Sequence, residues 1–158
     1  YSSAASDVYK RQVLPEGLKT IGDRAFIQCH SLVSVTTPES LVSIGVSAFG
    51  AQGSSGNYPT SYTQCRNLKS VHIKGAPTIG DMAFFYCPIE TLVIDGWKKG
   101  TTSTSNGTNA FAAAAITSVT LGEGVEYIGM AAFERSPVES IVLPSSLVEI
   151  ASLSLIHI

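Results

Sequence analysis

The stretch from Leu18 to Val35 constrains this chain more than any other, because the chain repeats it several times. It reads Leu18-x-x-Ile21-Gly22-x-x-Ala25-Phe26-x-x-Cys29-x-x-Leu32-x-x-Val35. Its Ile-Gly-x-x-Ala-Phe kernel returns at 44–49, 79–84 and 128–133, and in degraded form at 106–111, where Asn106 replaces Ile. A unit of a couple of dozen residues, recurring in register, is the signature of a solenoid. Each copy alone buries too little to fold, and stacked copies share one core.

The anchoring phenylalanines fall at 26, 49, 84, 111 and 133, so they are 23, 35, 27 and 22 residues apart. Two insertions, near 51–64 and 95–109, account for the long steps. Without them the period is close to constant, as stacking requires.

After each Cys-like position comes a short alternating run. Leu32–Thr37, Leu68–Ile73, Ile89–Ile94, Ile116–Leu121 and Val138–Leu143 align with one another. A period of two with β-branched residues predicts half-buried strands. Val35, Val71, Leu92, Val119 and Ile141 face inward. Ser34, Ser70, Thr91, Ser118 and Ser140 form one outward row. Thr36, His72, Val93, Thr120 and Val142 form the next.

The kernel changes period and predicts a tight bend followed by a turn or two of helix. Its Gly supplies either positive φ or a close backbone approach. Asp23, Asp81 and Thr108 stand where an oxygen would cap such a helix. The recurring Ala marks a contact too close for a larger side chain, and Phe fills the interior.

The pattern Leu-x-x-Ile-Gly-x-x-Ala-Phe-x-x-Cys-x-x-Leu resembles the BspA-type leucine-rich repeat, also called the Treponema pallidum type. About five copies plus a partial sixth, Pro144 to Ala151, carry the resemblance. It implies a leucine-rich-repeat solenoid of short parallel β-strands stacked in one sheet, with short helical turns on the opposite side. It also implies an extracellular or cell-surface protein of adhesive character.

The ends carry a second resemblance. Ser2–Gln12 and Leu153–Ile158 look like translated sequencing-library adaptors facing inward from both termini. On that reading residues 1–12 and 153–158 are adaptor-derived, and residues 13–152 are an interior part of a longer parent chain. The ends are then expected to lie loosely against the solenoid. With no capping turns, the first and last coils leave apolar columns open, so association is expected.

The formal charge is −2, which argues against a nucleic-acid footprint. No apolar run is long enough for a membrane span. Cys29, Cys65 and Cys87 occupy one repeat position and are expected as buried thiols in a column. Rungs about 4.8 Å apart also suit disulfide geometry. No CxxC or paired-His motif supports a metal, and no cofactor is expected. His30 and His72 have no nucleophile at motif spacing. Gly122-x-Gly124 reads as a repeat turn and lacks the rest of a dinucleotide fingerprint. Nothing supports catalysis.

The first insertion, rich in Gly, Ser and Asn, carries Tyr58 and Tyr62, the composition of an adaptable recognition loop or of a plain surface loop. The second carries Trp97 beside Lys98. It is either an exposed anchor or a ring packed on the solenoid edge. Asn106-Gly107-Thr108 fits a glycosylation sequon, and a turn accounts for it equally well. The candidate contact residues are therefore Tyr58, Tyr62, His72, Val93, Trp97, Lys98 and Val142. The chain reads as a non-catalytic repeat domain binding a protein or glycan surface. The alternatives are a structural spacer within a larger surface protein, or an accessory repeat region of a secreted enzyme.

Overall fold

In a computed structural model describing residues 10–52 and 63–155, ten short strands run in parallel pairs along a solenoid. They are β1 (Arg11–Val13), β2 (Thr20–Ile21), β3 (Ser34–Thr36), β4 (Ser43–Ile44), β5 (Ser70–Ile73), β6 (Thr78–Ile79), β7 (Thr91–Trp97), β8 (Ser118–Val125), β9 (Tyr127–Ile128) and β10 (Glu149–Ile150). The expected alternating runs supply the main sheet, in the order β1-β3-β5-β7-β8. Its register matches the repeat: Val35 pairs with Val71, Val71 with Leu92, and Leu92 with Val119. Two-residue strands ending on the kernel isoleucine build a second face, β2-β4-β6, which β9 and β10 continue as a separate pair. The solenoid thus has more than the single sheet expected.

The phenylalanines stack. Ring centroids of Phe26 and Phe49, Phe49 and Phe84, Phe84 and Phe111, and Phe111 and Phe133 lie 4.6, 4.8, 5.2 and 5.6 Å apart. No two neighbouring planes differ by more than 12°. Ala48, Ala83, Ala110 and Ala132 are wholly buried beside them, as are Ile79 and Ile128. Each stacked aromatic pair adds roughly 0.5–1.5 kcal/mol beyond the area it buries.

The expected helical turns do not form; the described residues contain no helix. Arg24, Ser47, Met82, Asn109 and Ala131 all have positive φ, and so do Gln28, Tyr86, Ala113 and Arg135 one turn later. A left-handed residue at every fourth position breaks a right-handed helix before it starts. The hydrogen bonds show what replaces it. Alternate N–H groups close local turns, such as Ala83 N to Gly80 O at 3.3 Å. The others cross to the next coil, as in Phe49 N to Ala83 O and Phe84 N to Ala110 O, both at 2.8 Å. These bonds fix the left-handed residues in place and satisfy the buried backbone.

The capping expectation changes with the helix. Asp23 Oδ1 accepts from Val46 N at 2.8 Å, and Asp81 Oδ1 from Thr108 N at 3.0 Å. Both carboxylates bind the following coil, not their own turn. Burial pushes the Asp81 carboxyl above its ordinary range, opposed by hydrogen bonds from Thr108 and Asn106. The kernel glycine serves close approach. A Cβ at Gly80 would stand 2.5 Å from Gly45 C.

Three further expectations fail locally. Val138–Leu143 forms no strand, and Val142 stands 84% exposed, off the main sheet. The N–H groups of this run make no bond to β8, and Pro137 and Pro144 bracket it. Gly122 and Gly124 lie within β8, not in a turn. They let β8 pass the irregularity between Ile94 and Gly96, since a Cβ at Gly122 would come within 2.8 Å of Asp95 O. Finally, the described parts of both ends are not loosely held. Arg11 pairs with Ser34 and Gln12 with Val35, Ser154 is buried, and Leu155 packs on the core. A sheet edge accepts any extended backbone in register, whatever its side chains.

Candidate functional site

The outward face of the main sheet is where the repeat aligns exposed side chains most regularly. Ser34, Ser70, Thr91 and Ser118 are paired in succession, and so are Thr36, His72, Val93 and Thr120. Pleating puts both rows on one side, with the buried valine and leucine column between them facing inward. Ser70, Thr91, Ser118 and Thr120 are exposed; His72 and Val93 are half-buried.

Charged and titratable groups stand on this face: Arg11, exposed, lines up with Ser34 in the first row, and two contacts join others. His72 Nε2 lies 2.8 Å from Asp95 Oδ2, and Lys69 Nζ 2.6 Å from Glu90 Oε1. Both pairs are solvent-exposed, so each adds little to stability. Between these groups the face is a wall of hydroxyls and methyl groups, with no cluster of three His, Cys, Asp or Glu side chains that could hold a metal among the described residues. Asp95 escaped the sequence reading because its approach to His72 is diagonal across two strands. Asp95 stands two residues beyond Val93, the direct partner of His72, and the repeat pattern does not encode that diagonal contact.

The expected site residues separate. His72 and Val93 sit side by side in the second row. Val142 does not join them. Tyr58 and Tyr62 lie outside the described residues; the described ends of their insertion are held by Gln52 N donating to Thr63 Oγ1 at 3.3 Å and Gln28 N to Thr63 O at 2.7 Å.

Trp97 is a core residue and no contact anchor, being wholly buried. Its ring meets Phe111 and Tyr127 edge-on at 5.8 and 6.1 Å. Gly107 lies against the ring so closely that a Cβ would strike it. Lys98 is exposed, with its N–H donating to Pro77 O at 3.1 Å. Lys99 binds Glu149 at 2.8 Å and stands 5.4 Å from the centre of the Tyr127 ring. The second insertion thus starts as the end of β7, with Trp97 paired to Val125, and from Lys98 on it is held against β6 and the following coils.

The three cysteines line up inside. Cys65 Sγ donates to Phe26 O at 3.0 Å and Cys87 Sγ to Phe49 O at 3.2 Å. Burial pushes the Cys65 thiol up to about 12 and Cys87 well above the ordinary range. At neutral pH neither is a thiolate, so neither is a nucleophile or a ready metal ligand.

No helix among the described residues is long and apolar enough to cross a membrane. No curated protein matches the chain. Leucine-rich repeats are generally protein-binding modules. A family profile, the BspA type leucine rich repeat region, matches six copies over residues 6–58 and 58–156. With its period, its stacked phenylalanines and nearly its whole length accounted for by that match, the chain belongs to the BspA-type leucine-rich repeat family.

Proposed function

We propose that this chain is a non-catalytic binding domain of a secreted or surface-attached, adhesin-like protein, and that it meets its ligand with the outer face of the main sheet. The observation that carries the reading is the pairing of Thr36, His72, Val93 and Thr120 across four adjacent strands. Rows of short side chains on a stiff backbone form a flat surface that loses little entropy on contact. With few charged groups on it, that surface suits an extended, weakly charged protein or glycan more than a small molecule, which needs a concave site. Family membership supports the extracellular setting.

The test places bulk and charge on the face. Beads coated with the chain are scored for adhesion to epithelial cells and to immobilised matrix protein. They are compared with beads carrying Thr36→Arg, Val93→Arg and Thr120→Arg together. Loss of adhesion with an unchanged circular dichroism spectrum and melting midpoint supports the reading. Equal adhesion by both, or none by the wild type, favours a spacer.

A further inference from the structure

Residues 137–143 repeat the pattern that makes β7 and yet form no strand. Pro137-Val138-Glu139-Ser140-Ile141-Val142-Leu143 matches Pro88-Ile89-Glu90-Thr91-Leu92-Val93-Ile94 class for class. In the earlier copy Glu90 N and Thr91 N donate to Lys69 O at 2.8 and 3.1 Å, and the run pairs with β5 from Thr91 to Ile94. In the later copy no backbone bond joins residues 139–143 to β8. β8 is therefore the edge of the main sheet. Its inward Val119 and Leu121 are only half-buried, whereas Val71, Ile73, Leu92 and Ile94 are buried.

Both flanks of the run are docked all the same. Ser136 Oγ donates to Phe111 O at 3.0 Å, and Val138 is buried. On the far side Ser145 Oγ donates to the Glu123 carboxylate at 2.7 Å, Ser146 Oγ to Val125 O at 2.8 Å and Val148 N to Glu126 O at 2.9 Å. Glu149 stands 13 residues after Ser136, and Tyr127 stands 13 after Ala114 in the coil that does pair. The span thus has the length to lie in register. Neither proline forbids it. Pro88 holds the place of Pro137 ahead of β7, and Pro38 holds that of Pro144 after β3, and both of those strands are paired.

We infer that residues 139–143 are a strap that closes on β8 as a sixth strand of the main sheet. The register is that of the other coils, with Ser140 beside Ser118, Ile141 beside Val119, Val142 beside Thr120 and Leu143 beside Leu121. Glu139 N and Ser140 N then donate to Thr117 O, as Glu90 N and Thr91 N donate to Lys69 O. The strap is the occupant of this edge because its sequence, its length and its two anchors already fit it. Both sides of the ladder lie within the described residues. Closure pairs an exposed strand edge and carries Ile141 and Leu143 over Val119 and Leu121. It also lengthens both outward rows by one rung. That consequence rests on the proposed function, and closure itself does not.

Amide hydrogen exchange on the full chain, resolved residue by residue by nuclear magnetic resonance, tests this. The expected result is slowed exchange at Glu139, Ser140 and Val142; a strap closed about nine-tenths of the time slows them about tenfold relative to unstructured chain. Val142→Pro removes a donor that the closed strap uses, at a side chain that the open strap leaves in solvent. In that variant Glu139 and Ser140 should exchange at the unstructured rate, while Val148 and Ala151 keep their wild-type protection. Strap amides that exchange at the unstructured rate in the wild type, or protection that Val142→Pro leaves in place, would overturn closure. Exchange is read with no ligand present, so its outcome stands apart from the adhesion test.

Discussion

The thiol of Cys65 donates to the carbonyl oxygen of Phe26, 39 residues earlier in the chain, at 3.0 Å. Ser136 makes the same bond to Phe111 O with its hydroxyl, also at 3.0 Å. The Cys position of the repeat is therefore a donor slot beneath the phenylalanine backbone of the preceding coil. Either a thiol or a hydroxyl can fill it.

Stability should consequently fall at alkaline pH. The folded Cys65 thiol ionises at about 12, against 9.0 for the free group. Between those values the unfolded chain has released the proton and the folded chain has not. Stability is thus complete below about pH 9 and declines as pH rises toward 12, by about 1.4 kcal/mol per unit for this thiol. Cys65→Ser keeps a donor and removes the titration. Urea midpoints at about pH 8.5 and about pH 10.5, on either side of the sloping region's start, should diverge less in the variant than in the wild type. Equal divergence would mean that Cys65 is not held as described.

Phe84 sits between two stacked rings and is wholly buried, whereas Phe26 has a ring on one side only and is partly exposed. Phe84→Ala should cost about 3–5 kcal/mol. Phe26→Ala should cost roughly half as much, in proportion to the smaller area it takes out of water. Chemical denaturation of the two variants, followed by far-ultraviolet circular dichroism, gives the comparison. Equal losses would contradict the graded burial along the stack.

Gly80 and Gly22 hold the same place in the repeat, and an added methyl separates them. At Gly80 it would meet Gly45 backbone at 2.5 Å, and backbone cannot rotate away. Gly80→Ala should destabilise by about 1–3 kcal/mol, as overpacking does. Gly22→Ala should be neutral or slightly stabilising, because Ala restricts the unfolded chain more than Gly. Melting midpoints of the two variants decide it.

The sequence revealed whatever the repeat encodes. Register of the main sheet, the phenylalanine stack and the cysteine column all follow from one spacing, since coils of equal length place equal positions in contact. The turn geometry did not follow. Arg24, Gln28, Ser47 and Met82 are ordinary residues with no preference for positive φ, and neighbouring coils impose it on them through hydrogen bonds. The second sheet, β2-β4-β6, was hidden because two-residue strands have no period to detect. At the candidate site His72 and Val93 were readable as outward positions. Their neighbour Asp95 was not, because it reaches His72 diagonally, two residues beyond the position that pairs with His72. Val142 was misplaced because the alternation that places it does not reveal that its backbone is unpaired with β8.

Trp97 is the residue whose role composition alone left open, and its fluorescence settles that role without a partner. It is the chain's only tryptophan, so emission reports on it alone. Enclosed by Phe111, Tyr127 and Gly107, it should emit at short wavelength, resist quenching by acrylamide and shift to the red on unfolding. Trp97→Ala removes the ring on which the second insertion rests and should cost about 3–5 kcal/mol. Adhesion measured on the folded fraction should be unchanged, because this ring faces the core and the contact rows face the other way. A readily quenched tryptophan, or a fully stable Trp97→Ala that loses adhesion, would return Trp97 to the binding surface.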